Sequence, residues 1–365
     1  MTTEFAFADD LGPEKVIELY DVAAGLKAIL VVDNVAAGPA IGGVRMAPDV
    51  STEECFRLAR AMTLKNAMAG LAHGGGKSVI FADPDMPAAD KSRLIRSFAR
   101  AIGDVRDYIP GPDMGTNENA MAEVRNVTGR AVGLPREVGG IPLDEIGATG
   151  YGLTVALEAA EPFCVLGTDR PRLVVQGFGS VGTHAARFLA ERGAMLVGVS
   201  DSGGARVCDE GFDLERLLSF KAEGHSVTGF DQGEVLSAAD LVAVPCEVWI
   251  PAARPDVIRE DNAERMQTRV VIQGANIPAT ARAEEILADN GVLVIPDFVA
   301  NAGGVICAAV EYHGGSQSQA LATIADKIRA NVTEVLTRAA DGNVLPRRAA
   351  QEIARERVLK AMSFR

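Results

Sequence analysis

Two lysines stand twelve residues apart (77 − 65) in the stretch AMTLKNAMAGLAHGGGKSVI, residues 61–80. Lys65 falls within a helical pattern, whereas Lys77 lies between three consecutive glycines and a run of β-forming residues. Three glycines leave the backbone bare and able to turn sharply, so the pattern predicts a loop in which Lys77 meets a small ligand at close range. The same residues are also compatible with an ordinary helix-to-strand loop that carries two surface lysines.

The composition of the whole chain limits what this ligand is. The 365 residues are 48% hydrophobic and 23% charged, which is typical of a soluble globular protein with two domains. The formal net charge is −13 and the isoelectric point is near 4.9, which argues against nucleic acid or an anionic membrane as a partner. An anionic substrate must therefore be bound by positively charged side chains close to the site.

Cysteine and histidine usage predicts neither a disulfide framework nor a metal site. The five cysteines are scattered and form no C-x-x-C pair, and the four histidines show no ligand spacing along the sequence. The start, MTTEFAFADD, has no basic region followed by an apolar one, and no apolar run reaches about 18 residues. These features predict a reduced, cytoplasmic protein.

Three further features in the first third of the chain are candidates for positioning a site. Residues 38–45 form a glycine-rich segment that predicts a loop, and Asp113 stands between helix breakers. Ser51 and Glu54 form a capping box that opens the helix carrying Lys65. A turn for the glycine segment and a structural cap for Asp113 are the alternative interpretations.

From Arg172 onward, short apolar runs alternate with helical patterns, as in a parallel sheet covered by helices. The predicted strands cover residues 173–176, 195–199, 241–244, 270–272 and 292–295. The first runs into the pattern GFGSVG, residues 177–182, a helical pattern follows, and Asp201 comes 19 residues after Gly182 (201 − 182). In this setting the glycines make a tight turn, the helix N-terminus takes a pyrophosphate, and Asp201 accepts hydrogen bonds from a ribose.

Polar residues follow the later strands. Asn276 comes just after one of them and Asn301 shortly after another, so both are expected at the carboxyl edge of the sheet, where a cofactor binds. Stabilisation of turns is the alternative role for these asparagines. Helical patterns cover residues 320–338 and 346–362, and a connector rich in Gly and Pro places the first domain boundary near residues 130–145.

Eight motifs together resemble the glutamate/leucine/phenylalanine/valine dehydrogenases, in the family's order and over nearly the whole chain. They are Gly38–Met46, Met62–Ala67, Gly74–Lys77, Asp113–Thr116, Ala148–Gly152, the fingerprint at 177–182, Gly274–Asn276 and Asn301–Gly304. The resemblance implies an N-terminal α/β substrate and oligomerisation domain (1–135), a Rossmann doubly wound dinucleotide-binding domain (136–335) and a last helix (336–365) returning to the first domain. It further implies an active cleft between the domains and assembly into a homo-oligomer.

Enzymes of this family oxidatively deaminate an L-amino acid to its 2-oxoacid and ammonia with NAD(P). By resemblance, Lys77 is the catalytic lysine, Asp113 is its acid/base partner, and Lys65 binds the substrate α-carboxylate. The resemblance also implies that Gly42 and Gly43 line the substrate pocket. Residues matched to cofactor binding are Thr149, Gly177, Gly179, Ser180, Val181, Gly182, Asp201, Asn276 and Asn301. A lysine buried beside a nicotinamide cation has its ammonium form disfavoured, which suits a base near neutral pH.

The choice of amino acid depends on Ile41 and Ala308. In glutamate-specific members, the resemblance places a lysine and a serine at these positions to receive the substrate γ-carboxylate. Both residues are apolar here, and an unpaired buried carboxylate is costly, so the sequence predicts a substrate with an apolar side chain, such as leucine, valine or phenylalanine. L-Glutamate is the alternative, because residues 115–118 and 148–152 are more similar to the glutamate branch of the family.

The cofactor and the broader class also have alternatives. Asp201 favours NAD because a carboxylate repels a 2′-phosphate, whereas the nearby Arg206 favours NADP. A non-catalytic dinucleotide-binding paralogue is expected to lose Lys77 or Asp113, and both are present. A 2-hydroxyacid dehydrogenase usually depends on a histidine beside a carboxylate or arginine, and His73 is the only histidine near the glycine run.

Overall fold

The chain divides into two compact units. The computed structural model describes residues 5–365. The first unit comprises Met1–Leu143, Val305–Thr323 and Gln351–Arg365, and the second comprises Asp144–Gly304 and Ile324–Ala350. Each unit is built on one sheet, so the predicted two-domain α/β architecture is confirmed. The predicted domain limits at residues 135 and 335 stay predictions.

The first unit contains a five-stranded mixed sheet. Its elements are β1 (Lys15–Asp21), β2 (Leu26–Asn34), β3 (Ala40–Ala47), α1 (Thr52–Met68), β4 (Gly74–Phe81), α2 (Ala88–Ala101), β5 (Tyr108–Pro112) and α3 (Glu118–Thr128). The strand order is β1-β2-β4-β3-β5, with β3 parallel to both β4 and β5. The carboxyl ends of these three parallel strands therefore lie at one edge of the sheet.

The glycines at 74–76 open β4, and the prediction of a turning loop there was wrong. None of the three has a positive φ, and all three are buried. A Cβ on Gly75 would lie 2.0 Å from the backbone nitrogen of Thr63 in α1, and one on Gly74 would lie 1.7 Å from the carbonyl oxygen of Asn34 in β2. The glycines are required because α1 and β2 approach β4 more closely than a side chain permits. The segment 38–45 was also predicted as a loop, and most of it forms β3 instead. Its glycines, like those of β4, stand where neighbouring strands pack closely.

Helix α1 begins as the sequence predicted. The Ser51 side chain accepts a hydrogen bond from the Glu54 amide at 3.1 Å, which caps the first turn. Further along, Thr63 donates to the buried carboxylate of Asp33 at 2.6 Å, and Arg60 pairs with the same carboxylate at 2.8 Å. These contacts hold α1 on β2, and Lys65 lies in the last turn of the helix.

The second unit contains a seven-stranded, mainly parallel sheet. Its elements are α4 (Ala148–Ala160), β6 (Arg172–Gln176), α5 (Ser180–Ala190), β7 (Met195–Asp201), β8 (Gly204–Val207), α6 (Leu214–Ala222), β9 (Glu234–Leu236), β10 (Val248–Pro251), α7 (Glu260–Ala263), β11 (Val270–Ile272), α8 (Ala281–Asp289), β12 (Leu293–Ile295) and α9 (Asp297–Ala300). The order is β12-β11-β10-β6-β7-β8-β9, in which β8 and β9 are antiparallel additions at one edge. This is the predicted doubly wound arrangement.

One predicted strand of this sheet was wrong. Residues 241–243 form a single 3₁₀ turn, and β10 takes the central position between β6 and β11. Leu241 and Val242 are buried in the hydrophobic core instead of being paired in the sheet. A run of four apolar residues has the same periodicity in a strand and in a buried turn, so sequence alone does not distinguish them.

Three helices complete the chain, namely α10 (Gly303–Tyr312), α11 (Gln317–Gly342) and α12 (Pro346–Met362). They confirm the helices predicted over 320–338 and 346–362. Within residues 5–365, none of the helices is both long and apolar enough to cross a bilayer.

Candidate active site

Lys77 and Asp113 lie in contact in the first unit. Lys77 is on β4 with only 7% of its side-chain surface exposed, and its Nζ donates a hydrogen bond to Oδ2 of Asp113, directly after β5. Gly43 on β3 leaves the space for this pair, because a Cβ there would lie 2.8 Å from Asp113 Cβ and 3.1 Å from Lys77 Nζ. Three parallel strands thus bring together two predicted catalytic residues and one predicted pocket residue.

The loop that carries Asp113 is fixed against β3. The backbone amide of Asp113 donates to the hydroxyl of Thr116 at 3.0 Å, and that hydroxyl donates to the carbonyl of Val44 at 2.8 Å. Gly115 has a φ of +80°, and a Cβ on it would lie 2.1 Å from a backbone oxygen of β3. Asn117 caps α3, whereas Asp113 Oδ1 accepts a hydrogen bond from the Met114 amide at 2.6 Å, so a structural role of Asp113 in this turn stays the alternative.

Arg45 is a site residue that the sequence interpretation missed. Its guanidinium bonds to Oε1 of Glu54 at 2.6 Å and lies 3.5 Å from Oδ1 of Asp113. The Asp113 carboxylate therefore has Lys77 on one oxygen and Arg45 on the other. Alternation along β3 could have identified it, because residues 43 and 45 of one strand share a face.

The pKa of Lys77 is lowered to about 7, chiefly by burial and next by the positive charge of Arg45. Lys65 lowers this pKa further, whereas Glu54 acts in the opposite direction. Burial thus acts in the direction that disfavours the ammonium form, as the sequence predicted. Near neutral pH the amine and the ammonium of Lys77 are both populated, so this side chain can take up and return a proton.

The predicted specificity residues lie in the same unit. Ile41 is 3% exposed and, two residues before Gly43 on β3, shares its face with it. Ala308 is buried on α10. Gly42 faces the other side of β3, where a Cβ would lie 1.7 Å from the carbonyl oxygen of Gly76, so it serves strand packing. Contact of these residues with substrate stays a prediction.

The second unit contains the predicted dinucleotide turn between β6 and α5. Gly177 has a φ of +97°, and a Cβ on Gly182 would lie 2.1 Å from the Gly177 carbonyl oxygen, so both positions require glycine. A Cβ on Gly179 would meet no other part of the described chain within 4 Å. In residues 5–365, no side chain caps the start of α5 at Ser180, which leaves its first amides available to an anion. The turn therefore fits a dinucleotide pyrophosphate.

Asp201 ends β7 at the expected place, but both of its oxygens are already engaged. Oδ1 accepts from the Gly203 amide at 2.9 Å and the Ser226 hydroxyl at 2.8 Å, and Oδ2 accepts from Lys221 Nζ at 2.7 Å and the Val227 amide at 2.9 Å. Burial alone would raise the pKa of Asp201, yet these donors lower it below the usual value. Its predicted bond to the ribose thus competes with four internal donors.

Arg206, the sequence candidate for a 2′-phosphate ligand, is committed elsewhere. Its guanidinium donates to backbone carbonyls of Gln232 at 2.8 Å and of Thr228 at 3.0 Å. The cation that faces Asp201 is Lys221 on α6, which the sequence interpretation did not single out. It lies twenty residues beyond Asp201 (221 − 201), and only the tertiary fold brings the two together.

Asn276 and Asn301 meet at the carboxyl edge of this sheet, as predicted. The amide of Asn301 donates to Oδ1 of Asn276 at 3.0 Å and to the carbonyl of Gly274 at 3.2 Å. Ile277, which follows Asn276, has a φ of +49°, and its amide donates to the Asp297 carboxylate at 2.8 Å. This loop is therefore held in a defined conformation from two sides.

A buried ionic network supports that loop. Arg347 lies 2.9 Å from Asp297 Oδ1 and also pairs with Glu284 and donates to Gln273. Both carboxylate side chains are under 10% exposed, at 7% and 4%. Thr149, in the first turn of α4, lies next to the segment after Asn301, since a Cβ on Gly304 would be 3.4 Å from its hydroxyl. The structure thus groups the predicted nicotinamide-end residues in one unit.

A buried lysine–carboxylate pair in one α/β unit and a dinucleotide turn in the other define a two-domain nicotinamide-dependent dehydrogenase. The sequence signature described as Glutamate/Leucine/Phenylalanine/Valine dehydrogenase matches residues 139–365, and that of the Glu/Leu/Phe/Val dehydrogenase dimerisation domain matches residues 13–129. The chain belongs to this family. It is an amino acid dehydrogenase that acts on the CH–NH₂ group with NAD(P).

Named relatives cover most of the chain. It is 37% identical over 356 residues to the glutamate dehydrogenase of Aeropyrum pernix, covering 91% of this chain and 85% of that one. It is 37% identical over 357 residues to the NADP-specific glutamate dehydrogenase of Saccharolobus shibatae, covering 91% and 83%. The crystal structure of the hetero-hexameric glutamate dehydrogenase of Thermus thermophilus, in a Leu-bound form, superposes with a TM-score of 0.84 at 29% identity, covering 96% of this chain and 89% of that one.

Proposed function

We propose that this enzyme catalyses the reversible oxidative deamination of L-glutamate to 2-oxoglutarate and ammonia with NAD(P). The buried contact between Lys77 and Asp113 carries the chemical part of the proposal, because it places a lysine with a pKa of about 7 against a carboxylate. The two glutamate dehydrogenases that are 37% identical to this chain over the aligned residues support glutamate over the apolar substrate predicted from the sequence.

The residues of the first unit suit the proton transfers of this reaction. A bound nicotinamide would supply the hydride acceptor for the substrate Cα, and the resulting iminium of the substrate would then have to be attacked by water. The neutral amine of Lys77 takes a proton from that water, and the ammonium then stabilises the oxygen of the carbinolamine. The Asp113 carboxylate passes the proton of the Lys77 ammonium to the amino group, which leaves as ammonia when the neutral Lys77 takes the hydroxyl proton of the carbinolamine. The positive charge of Lys65 attracts the substrate α-carboxylate.

The rate of oxidative deamination should follow the ionisation of Lys77. Since the neutral amine is the base, we expect kcat/KM to fall about tenfold per pH unit below pH 7 and to level off above it. The pH profile of kcat/KM from pH 5.5 to 9.5 measures this acidic limb, the part of the curve over which kcat/KM falls with decreasing pH. In Arg45→Met a cation that lowers the pKa is removed, so the limb should move to higher pH. A wild-type limb near pH 10 would contradict the assignment.

A second candidate substrate is an L-amino acid with an apolar side chain. It is favoured by Ile41, which is 3% exposed on the strand face that also carries Gly43, and by the buried Ala308. The two candidates are separated by measuring NADH and NADPH oxidation with ammonia and a panel of 2-oxoacids. The glutamate proposal requires the highest kcat/KM with 2-oxoglutarate, and the alternative requires it with 4-methyl-2-oxopentanoate, 3-methyl-2-oxobutanoate or phenylpyruvate.

Replacing Ile41 by lysine should change which side chain is accepted. A lysine on this face attracts the γ-carboxylate of the substrate. Beside an apolar substrate side chain, the same lysine loses its hydration without gaining a partner, which weakens binding. We expect Ile41→Lys to raise kcat/KM for 2-oxoglutarate relative to 4-methyl-2-oxopentanoate by about a hundredfold, the equivalent of about 2.7 kcal/mol. Val16→Lys, at an exposed position of β1, is the control and should leave the ratio unchanged. An unchanged ratio in Ile41→Lys would remove residue 41 from the substrate pocket.

The surroundings of Asp201 support the use of both NAD and NADP. Its charge is neutralised by Lys221, and its oxygens are saturated by four donors, since a carboxylate offers about four acceptor positions. A 2′-phosphate therefore meets an ion pair at this point instead of an isolated carboxylate. The enzyme should bind NADPH and NADH with dissociation constants within about tenfold of each other.

Removal of Lys221 should create a preference for NADH. In Lys221→Met the Asp201 carboxylate loses its counter-charge and repels the 2′-phosphate, so we expect NADPH binding to weaken at least about tenfold while NADH binding changes little. Titration of nicotinamide fluorescence measures binding without turnover. Lys221→Arg restores the charge and is the matched control. Equal losses for both cofactors would show that Lys221 only maintains local structure.

Assembly and location complete the proposal. The match of residues 13–129 to a domain described as a dimerisation domain supports the predicted homo-oligomer. Light scattering on the purified chain measures the subunit number, and a monomer would refute this part. The predicted cytoplasmic location stays a prediction.

A further inference from the structure

Two histidines that the proposed reaction does not use face each other in the first unit. His73 precedes β4 and is 2% exposed, and His313 follows α10 on the exposed surface. Their Nε2 atoms lie 3.1 Å apart, although the residues are 240 positions apart in the chain. The ring centroids are separated by 5.2 Å, and the ring of Tyr312 packs edge-on against both.

The hydrogen bonds determine which nitrogen of each ring carries the proton. His73 Nδ1 lies 3.0 Å from the carbonyl oxygen of Pro39, which only accepts, so this nitrogen is protonated. His73 Nε2 therefore holds a free lone pair, and His313 Nε2 donates to it. Burial, together with the neighbouring His313, lowers the pKa of His73, which favours the neutral form of its ring.

We propose that His73 and His313 form a two-histidine binding site for a divalent transition-metal ion such as Zn²⁺ or Ni²⁺. A metal-bound histidine usually donates its other ring nitrogen to a carbonyl or carboxylate, and His73 already makes this bond to Pro39. To bind, His313 moves its proton from Nε2 to Nδ1, which frees the second lone pair without changing the net charge of either ring. The metal then replaces the hydrogen bond between the two Nε2 atoms.

The geometry requires little rearrangement. Two Zn–N bonds of 2.0–2.1 Å at the tetrahedral angle place their nitrogens about 3.3 Å apart. The observed separation of 3.1 Å is close to this value. His313 lies at the surface, so water can complete the coordination on its open side, and imidazole nitrogens favour zinc, nickel and copper over magnesium or calcium. The chain's net charge of −13 further favours a cation.

Calorimetric titration of the full-length protein with Zn²⁺ and Ni²⁺ tests this site. We expect one site per chain, binding at least about tenfold weaker in His313→Gln, and no binding of Mg²⁺. His313 is exposed, so the substitution leaves the core intact, and circular dichroism verifies the fold. His225→Gln changes another exposed histidine, with 53% of its side chain accessible, and is the matched control that should bind as the wild type does.

Zinc-edge X-ray absorption on the one-to-one complex provides a second measurement. The proposal requires scattering from two imidazole rings, and only one in His313→Gln. Absence of binding, binding unchanged in His313→Gln, or equal loss in His225→Gln would each overturn the proposal and leave the pair as a simple hydrogen bond. None of these results depends on amino acid turnover, so they test the metal site separately from the enzymatic function.

Discussion

Replacement of Lys77 by methionine should lower turnover by about a thousandfold, within the range that a single acid–base group contributes. The residue is 5% exposed and its amine touches Asp113, and methionine offers no group that takes the proton from the attacking water. Methionine has nearly the same volume, and Asp113 keeps its contact with Arg45. The fold and the binding of NADH should therefore be nearly unchanged.

Steady-state kinetics, together with NADH fluorescence titration, separate loss of chemistry from loss of binding in Lys77→Met. Lys27→Met is the matched control, because Lys27 is an exposed lysine on β2 of the same sheet and should retain full activity. If Lys77→Met keeps more than about a tenth of the wild-type kcat, Lys77 is not the base of the reaction.

Replacement of Gly75 by alanine should destabilise the protein by about 3 kcal/mol or more, because the added methyl group has no room. The Cβ would lie 2.0 Å from the Thr63 nitrogen and 2.4 Å from its Cα, and these backbone atoms belong to the middle of α1. Either α1 or β4 must shift. Since Lys77 is two residues along β4, the same shift should also lower activity.

Urea denaturation measures the change in the free energy of unfolding for Gly75→Ala, and if the variant does not fold, its loss from the soluble fraction shows the destabilisation without a value for it. Gly342→Ala is the control, because its Cβ would have its nearest contact at 3.7 Å and it ends α11. Alanine there should be neutral or stabilise by up to about 1 kcal/mol. Equal urea midpoints for Gly75→Ala and Gly342→Ala would show that α1 does not pack closely against β4 in solution.

Local signals in the sequence predicted the parts of the fold that depend on neighbours along the chain. The capping box at Ser51 predicted the start of α1, and the strand–glycine–helix pattern predicted the turn from Gly177 to Gly182. Both devices act within six residues, so their physics is visible in the sequence. The motif order further indicated the family, and with it Lys77 and Asp113 as a pair.

The errors concern segments whose state depends on distant partners. The glycines 74–76 were predicted as a loop because the local sequence does not show that α1 packs against them. The run 241–244 read as a strand because only the sheet shows that β10 occupies the central place. Arg45 and Lys221 were missed since a charge becomes part of a site only when the fold brings it to Asp113 or Asp201.

The sequence by itself therefore determined the family, the cofactor turn and the two residues proposed to exchange protons, because each is carried by a motif of adjacent residues. The tertiary structure decided their chemical properties. Packing of β3 and α1 around Lys77 removes water and adds the charges of Arg45 and Lys65, which together lower its pKa to about 7. Burial and electrostatic interactions depend on distances in space, and those distances exist only in the folded chain.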